Sequence, residues 1–374
     1  MNKAISLCLI PLALTPSVYG LINLGEGRID LETSASVFYD SEIRARNLGQ
    51  DDMVLTIRPS LVYTRPSKSL DLMASVSLRG VVYADHDEYN DLDVYFDLGL
   101  TPTARMETAR FRVNGDVILN SESRADADVG DIVTIRTYGA SGQVIYDPNR
   151  RFNIIGRLSA RREDPDSERL YTIDRYNASG TVQTPLNEDI SLQATAGYSK
   201  IASEGRSTDS EIFTYSAGFV GDLFTKLRAD VSAGIQDTKY ENGQDDSSPY
   251  ISASLNWQAN ETSSISCRVA QSIGTTLDDR ATDTFSVDVT GRRELNRQFA
   301  GSVFLGYDDI DYNSLVDPLL DRSDQEYYFG GSLSYDWVRW SSIRLEARYS
   351  DRSSTDPIFS YDRLRVGVVM TGTW

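Results

Sequence analysis

The stretch Tyr361–Trp374, YDRLRVGVVMTGTW, alternates. Leu364, Val366, Val368, Met370 and Trp374 share one parity, and Arg363, Arg365, Thr371 and Thr373 share the other. Successive side chains of a strand point to opposite faces, so this is one β-strand with an apolar side and a side that carries cations. A large aromatic at its end suits the interface girdle of an outer-membrane barrel, whereas a soluble edge strand has no need of one. The rest of the chain has to choose between the two.

Working outward, residues 1–20, MNKAISLCLIPLALTPSVYG, carry Lys3, an apolar run from Ala4 to Leu14 and small residues near a cleavage point, the pattern of a bacterial secretory signal peptide. Cys8 lies inside that run, and Cys267 is then the one cysteine of the mature chain, so no internal disulfide is expected. No later segment approaches the ~20 apolar residues of a membrane helix. No linker and no shift in composition divides residues 21–374, which read as one continuous domain. Tyrosine is the commonest aromatic with 21 residues, the cations are almost all arginine, and the formal net charge is -18. So acidic a chain excludes nucleic acid as a partner, because neutralising phosphates needs a basic face.

Eighteen alternating segments follow one another, at residues 28–39, 53–64, 70–83, 91–100, 106–119, 132–146, 152–161, 170–183, 189–199, 211–221, 226–237, 249–257, 262–272, 283–292, 297–307, 326–336, 341–350 and 361–374. Each can supply the ~9–11 residues of a tilted transmembrane strand. In the third, Leu70, Leu72, Ala74, Val76, Leu78 and Val82 oppose Asp71, Ser75, Ser77 and Arg79. The connections decide more than the strands do. Odd segments are followed by long acidic loops such as ADHDEYN, SESRADADVGD and DDIDYNSLVDPLLDRSDQ, and even ones by short links such as RPSKS, TPTAR, DPNRR and TPLNE. An up-and-down barrel with short periplasmic turns and longer outer loops requires that alternation, and a soluble sandwich does not. No repeat of 40 to 50 residues supports a propeller. The predicted fold is therefore all-β, a transmembrane antiparallel up-and-down barrel of about 18 strands with both termini periplasmic.

Two distributions agree with that orientation. Trp257, Trp337, Trp340 and Trp374 fall at predicted periplasmic ends or turns, while Tyr39, Tyr198, Tyr307, Tyr327 and Tyr349 fall at predicted outer ends, as two membrane-interface girdles would. The short turns also collect cations, among them Lys68, Arg151, Lys226 and Arg339.

A barrel of this size encloses an aqueous lumen, and an arginine at the lipid midplane costs ~2–4 kcal/mol, so strand arginines should face inward. The predicted lumen set is Arg58, Arg79, Arg110, Arg112, Arg136, Arg157, Arg161, Arg228, Arg268, Arg344, Arg348, Arg363 and Arg365. Five of them, Arg110, Arg112, Arg136, Arg157 and Arg161, come from neighbouring strands, as do Arg344, Arg348, Arg363 and Arg365. A guanidinium fork suits carboxylates and sugar hydroxyls, which favours a path for an anionic or hydroxyl-rich solute. The plainer reading for any single arginine is pairing with Asp71, Asp93, Asp97, Asp116, Asp230, Asp288 or Glu346 to stiffen the wall. The segment Asp126–Asp131, DADVGD, has Thr137 where a calcium loop needs Glu, so it reads as solvated loop charge, and no metal or cofactor is expected. His86, in ADHDEYN, reads as a solvated loop residue, and no enzymatic activity is expected.

The opening SASVFYDSEI, followed by LTIRPSLVYTRPSKSLDLMASVSL, resembles the opening of a β-barrel porin family found with exopolysaccharide synthesis and export systems in Gram-negative bacteria. Tyr39, Asp40, Ser41 and Ile43 match the motif after its first strand, while Glu42 stands where Asn is usual, and the match spans about the first fifth of the chain. The resemblance implies a Gram-negative outer-membrane protein in contact with lipid and lipopolysaccharide, with a polysaccharide and periplasmic export proteins as further partners. It implies no catalytic residue. The expectation is thus a channel that passes an exopolysaccharide through an arginine-lined lumen. A general or solute-selective diffusion porin is the second reading, and a non-conducting surface barrel whose acidic loops bind partners or divalent ions is the third. The sequence leaves open the oligomeric state and whether the loop at 308–326 turns inward.

Overall fold

A computed structural model describes residues 22–67, 70–102, 110–149, 151–204, 209–241, 243–314 and 321–374, with side chains throughout except at 102, 110–113 and 149. The expected signal peptide and Lys68 lie outside the described residues. A short strand β1 (Ile22–Leu24) precedes the wall. The wall begins with β2 (Gly27–Asp40), β3 (Asp52–Arg65), β4 (Leu70–Tyr83), β5 (Asp91–Pro102), β6 (Arg110–Asp126) and β7 (Asp131–Asn149). It continues through β8 (Phe152–Pro165), β9 (Ile173–Pro185), β10 (Ile190–Ser203), β11 (Ser210–Phe224), β12 (Leu227–Tyr240) and β13 (Asp245–Asn260). It ends with β14 (Ser263–Thr275), β15 (Ala281–Glu294), β16 (Phe299–Asn313), β17 (Arg322–Val338), β18 (Ser341–Ser354) and β19 (Tyr361–Thr373).

Each of these pairs antiparallel with the next, and β19 returns to β2, with Val366 opposite Tyr39 and Val368 opposite Val37. The result is a closed antiparallel barrel of 18 strands, β2 to β19, which leaves no unpaired sheet edge. The strands match the eighteen predicted segments in order. Most run several residues further at the long-loop end, as β17 does in starting at Arg322 rather than at 326.

Period-2 alternation sorts the side chains. Val303, Leu305, Phe329, Leu333, Leu345, Val366 and Val368 all lie on the outer face and are exposed, and cross-strand register joins Leu305 to Phe329 and Leu345 to both Leu333 and Val368. A continuous apolar belt of this kind is what lipid covers. Among the described residues no helix is long and apolar enough to cross a membrane, so strands are the crossing elements. Small and large residues interlock on the wall. An ideal Cβ on Gly306 would lie 2.1 Å from the ring of its cross-strand partner Tyr328, and one on Gly367 would lie 2.4 Å from the ring of Phe38. Glycine is needed there because the aromatic ring occupies that space. Register shifts occur at Tyr146/Asn149, Asp222/Phe224, Gln258/Asn260 and Asp336/Val338, all beside short turns, where bulges commonly end barrel pairing.

Candidate functional site

The inner face carries the charge. Alternation turns Arg58, Arg79, Arg157, Arg161, Arg228, Arg268, Arg344, Arg348, Arg363 and Arg365 inward, opposite in parity to exposed apolar neighbours such as Ile57, Leu78, Leu158, Leu345 and Leu364. Most of these guanidiniums already have carboxylate partners. Arg79 donates to Asp93 at 2.6 Å and to Glu122 at 2.8 Å. Arg161 meets Glu163 at 2.9 Å, Arg344 meets Glu346 at 3.6 Å, and Arg228 meets Asp222 at 3.6 Å. Arg348 lies 4.0 Å from Glu326 and over the ring of Tyr328. The grouping on β18 and β19 is therefore a set of ion pairs.

Arg136 is a correction. It shares parity with exposed Tyr138 and Val144 and pairs with Asp164 at 3.8 Å and Asp166 at 3.5 Å on the outer face. Its neighbours Val133 and Ile135 are the ones that point inward. Beyond the bilayer the outside of the wall meets water, so the apolar residues can turn in and the charges out. The side chains of Arg110 and Arg112 lie outside the described residues.

Three inward arginines differ from the rest. Arg157 and Arg268 have no hydrogen bond or ion pair among the described residues, and Arg58 only stacks over the ring of Tyr95 at 4.2 Å. They stand on β8, β14 and β3, five, six and seven strands apart around the ring, and each is five to seven residues from the short-turn end of its strand. They therefore face the lumen from three directions.

The motif Tyr39–Ser41 meets the terminal stretch at the closing seam. Asp40 is buried and accepts from Arg363 Nε at 2.9 Å and Nη2 at 2.7 Å, while Arg365 approaches at 3.1 Å. Ser41 exchanges two bonds with Leu364, and Tyr39 turns outward to donate to Asp51. Glu42 lies in the loop beyond, where its carboxylate accepts from Gly49 N–H at 2.8 Å. Burial pushes its carboxyl above the ordinary range, against the pull of the Gly49, Gln50 and Leu48 amides and of Arg363.

The aromatics fall at two levels of the wall. Tyr307 and Tyr327 pair at 4.7 Å, Tyr349 with Phe329 at 5.4 Å, and Tyr198 with Phe213 at 5.2 Å, all with Tyr39 toward the long-loop end. Trp257, Trp337 and Trp374 lie toward the short-turn end, and the Trp374 ring lies tilted against that of Trp340 with centroids 5.4 Å apart.

At the long-loop end several connections turn inward and cross the mouth. The β14–β15 turn, 276–280, brings Leu277 into an apolar cluster with Val133, Ile135, Ile173, Ile201 and Ile212 from the inner faces of β7, β9, β10 and β11. Tyr171 N–H donates to Leu277 O at 2.8 Å, and Arg175 reaches Thr275 O at 2.9 Å while holding Glu163. The β6–β7 turn reaches to the opposite wall, because β16 lies nine strands from β7 in a ring of eighteen. There Asp128 accepts from Tyr312 Oη at 2.5 Å and lies 3.5 Å from Arg352, and its carbonyl accepts from Arg280 and Arg322. Arg175, Arg280, Arg322, Arg352, Asp128 and Tyr312 were not predicted as site residues. Arg322 and Arg352 sit on strand extensions that the sequence presents as loop.

His86 Nδ1 lies 3.0 Å from Asp52, whose carboxylate also accepts from the backbone of Ala84, Asp85 and His86, so the pair caps the β4–β5 loop. No group of three or more His, Cys, Asp or Glu side chains among the described residues is placed to hold a metal ion.

Residues 197–373, from within β10 through β19, match a family described as "Putative beta-barrel porin 2". The match covers a little under half of the chain. The match lies in the other half of the chain from the Tyr39–Ile43 motif that carried the resemblance. None of the curated proteins matches the sequence. Among solved structures the porin is similar to OccK3 (OpdO) of Pseudomonas aeruginosa, at 10% identity over 93% of this chain and 96% of that one, with a TM-score of 0.50. It is equally similar to OpdL of the same organism, at 11% identity over 94% and 99% of the two chains, again with a TM-score of 0.50. At such identities the likeness is one of fold. The closed 18-strand barrel and the family match over residues 197–373 together give the coarse reading of an outer-membrane β-barrel porin.

Proposed function

We propose that this porin is a channel for an anionic, hydroxyl-rich saccharide and that it serves the passage of an exopolysaccharide across the outer membrane. The observation that supports this most is the trio Arg58, Arg157 and Arg268, whose guanidiniums face the lumen from three sides without carboxylate partners among the described residues. Charged side chains that ring a pore set its selectivity, and a guanidinium recognises carboxylate and hydroxyl groups with little reorganisation. Three weak contacts around one level hold a polymer briefly at each repeat and release it, as conduction requires. The export role rests further on the family resemblance around Tyr39–Ile43.

The test is planar-bilayer recording across a KCl gradient. The triple variant R58S/R157S/R268S should move the reversal potential toward cation selectivity and weaken block of the current by a trigalacturonate probe about tenfold. An unchanged reversal potential together with unchanged block would remove the trio from the path. A solute-selective diffusion porin is the second reading, favoured by the loops that narrow the mouth. Strong response to single sugar acids with none to trigalacturonate would select it.

A further inference from the structure

We infer that the β6–β7 turn is a latch whose Asp128 carboxylate occupies an anion-binding cradle, and that a carboxylate of the translocated solute competes with Asp128 for it. This rests on the proposed saccharide path and names where an acidic sugar would be recognised at its entrance.

The cradle is assembled without Asp128. Arg352 is held by Asp324 through Nε at 2.9 Å and Nη2 at 2.6 Å, and Arg322 lies 3.2 Å from the same carboxylate. Arg280 is held by Asp278 at 2.5 Å. The Arg322 guanidinium is packed between the rings of Tyr312 and Phe359, at 3.9 Å and 3.8 Å. Arg322 and Arg352 are each only 2% exposed in their side chains, whereas the Asp128 side chain is 40% exposed. The buried part of the site is thus the arginine wall; the Asp128 carbonyl meets Arg280 and Arg322, while the Asp128 carboxylate, at Tyr312 and Arg352, is the part that water and solute can reach.

The ion pairs give the same assignment. Arg280, Arg322, Arg348 and Arg352 pair with Asp128, Asp278, Asp324 and Glu326, and Asp308 also faces Arg348 and Arg352. Asp278, Asp324 and Glu326 come from the same side of the barrel as the arginines, and Asp128 alone arrives from across the lumen. Withdrawing the turn takes the Asp128 carboxylate away from the Tyr312 hydroxyl and Arg352, and a solute carboxylate would replace it there. The turn is braced from within, and Val129 packs it against the apolar cluster. Asp126 Oδ1 accepts from Asp128 and Val129 N–H, Gly130 N–H bonds Asp126 O at 2.7 Å, and Gly130 has a φ of 69°. Those bonds are internal to the turn and survive its withdrawal.

The test compares the full-length wild-type porin with D128N and Y312F in planar bilayers, using trigalacturonate as probe and maltotriose as the uncharged control. A ligand that must displace an occupant binds with its affinity reduced by the fraction of vacant sites. D128N should therefore open more often and respond to trigalacturonate at about tenfold lower concentration. Y312F, which removes the bond to Asp128 and the 2.6 Å bond that Arg352 donates to Tyr312 Oη while Asp324 still holds Arg352, should open more often as well, and maltotriose should act alike on all three proteins. The same open probability and trigalacturonate response in D128N as in wild type would overturn the latch, as would an equal shift with maltotriose. If D128N shifts the response while R58S/R157S/R268S leaves selectivity unchanged, the latch stands and the mid-lumen path does not.

Discussion

Removing the Asp40 carboxylate should open the barrel at its weakest line. The seam between β2 and β19 is where the two ends of the wall meet, and Asp40 holds both Arg363 and Arg365 there. Its side chain is 4% exposed, that of Arg363 18% and that of Arg365 44%. Stranding a buried partner costs ~3–5 kcal/mol, and the water that reaches Arg365 reduces this, so D40A should lose about 2–3 kcal/mol. The Arg344–Glu346 pair is the internal control. Both partners are more than a third exposed or close to it, at 46% and 35%, and E346Q should cost under ~0.5 kcal/mol. Urea unfolding of the porin in phospholipid vesicles, read by tryptophan fluorescence, measures both. A double-mutant cycle with R363S should return a coupling of at least ~1 kcal/mol. If D40A and E346Q unfold at the same urea concentration, lumen water screens the seam as well as it screens the open wall, and the seam has no special electrostatic support.

Two more outcomes follow from local geometry. Because burial raises the Glu42 carboxyl in the folded loop, the closed β2–β3 loop holds its proton more tightly than an open loop does; its stability is full below the ordinary Glu value of ~4.3 and falls as pH rises through the raised one. Amide exchange at Ile43 and Gly49, corrected for intrinsic rate, should be slower at mildly acidic pH, and E42Q should remove that dependence; protection flat with pH in the wild type contradicts it. Replacing Gly306 by Ala forces the Tyr328 ring from its place and frees its hydroxyl from Asp288, at a cost of ~1–3 kcal/mol, whereas Gly80→Ala, with open space around its Cβ, should be within ~0.5 kcal/mol of wild type. Equal unfolding midpoints for the two would refute the assignment of Tyr328 to that space.

The wall was legible because lipid imposes one rule on every strand inside it. Leu345, Val366 and Val368 must face out, so Arg344, Arg348, Arg363 and Arg365 must face in, and two-residue alternation carries that information in the sequence. The rule ends where the bilayer does. On the upper part of β7 water lies outside and the β14–β15 turn lies inside, so Val133 and Ile135 turn in and Arg136 turns out. Reading Arg136 inward applied the lipid rule one level too high. The same boundary hides Arg322 and Arg352, whose strand extensions follow no lipid pattern. Asp128 was read as solvated loop charge because its neighbours in sequence are acidic, and its partners Tyr312 and Arg352 are 184 and 224 residues away. Pairing of the lumen arginines is a matter of cross-strand register, which alternation within one strand does not encode.

The short strand β1 pairs its Ile22 with Ile29 and its Leu24 with Gly27 on the edge of β2 that β19 also uses, since Arg28 and Ile29 already face β3 on the other edge. β19 descends that edge until Trp374 exchanges both of its backbone bonds with Leu31, and β1 fills the positions immediately below. Sliding β19 by two residues toward the short-turn end would keep its side chains on the correct faces and so would pass every test of hydrophobic sidedness. It would also run into β1. The hairpin therefore works as a doorstop, fixing how far the last strand can travel when the cylinder zips shut and hence the circumferential offset on which the width of the pore depends.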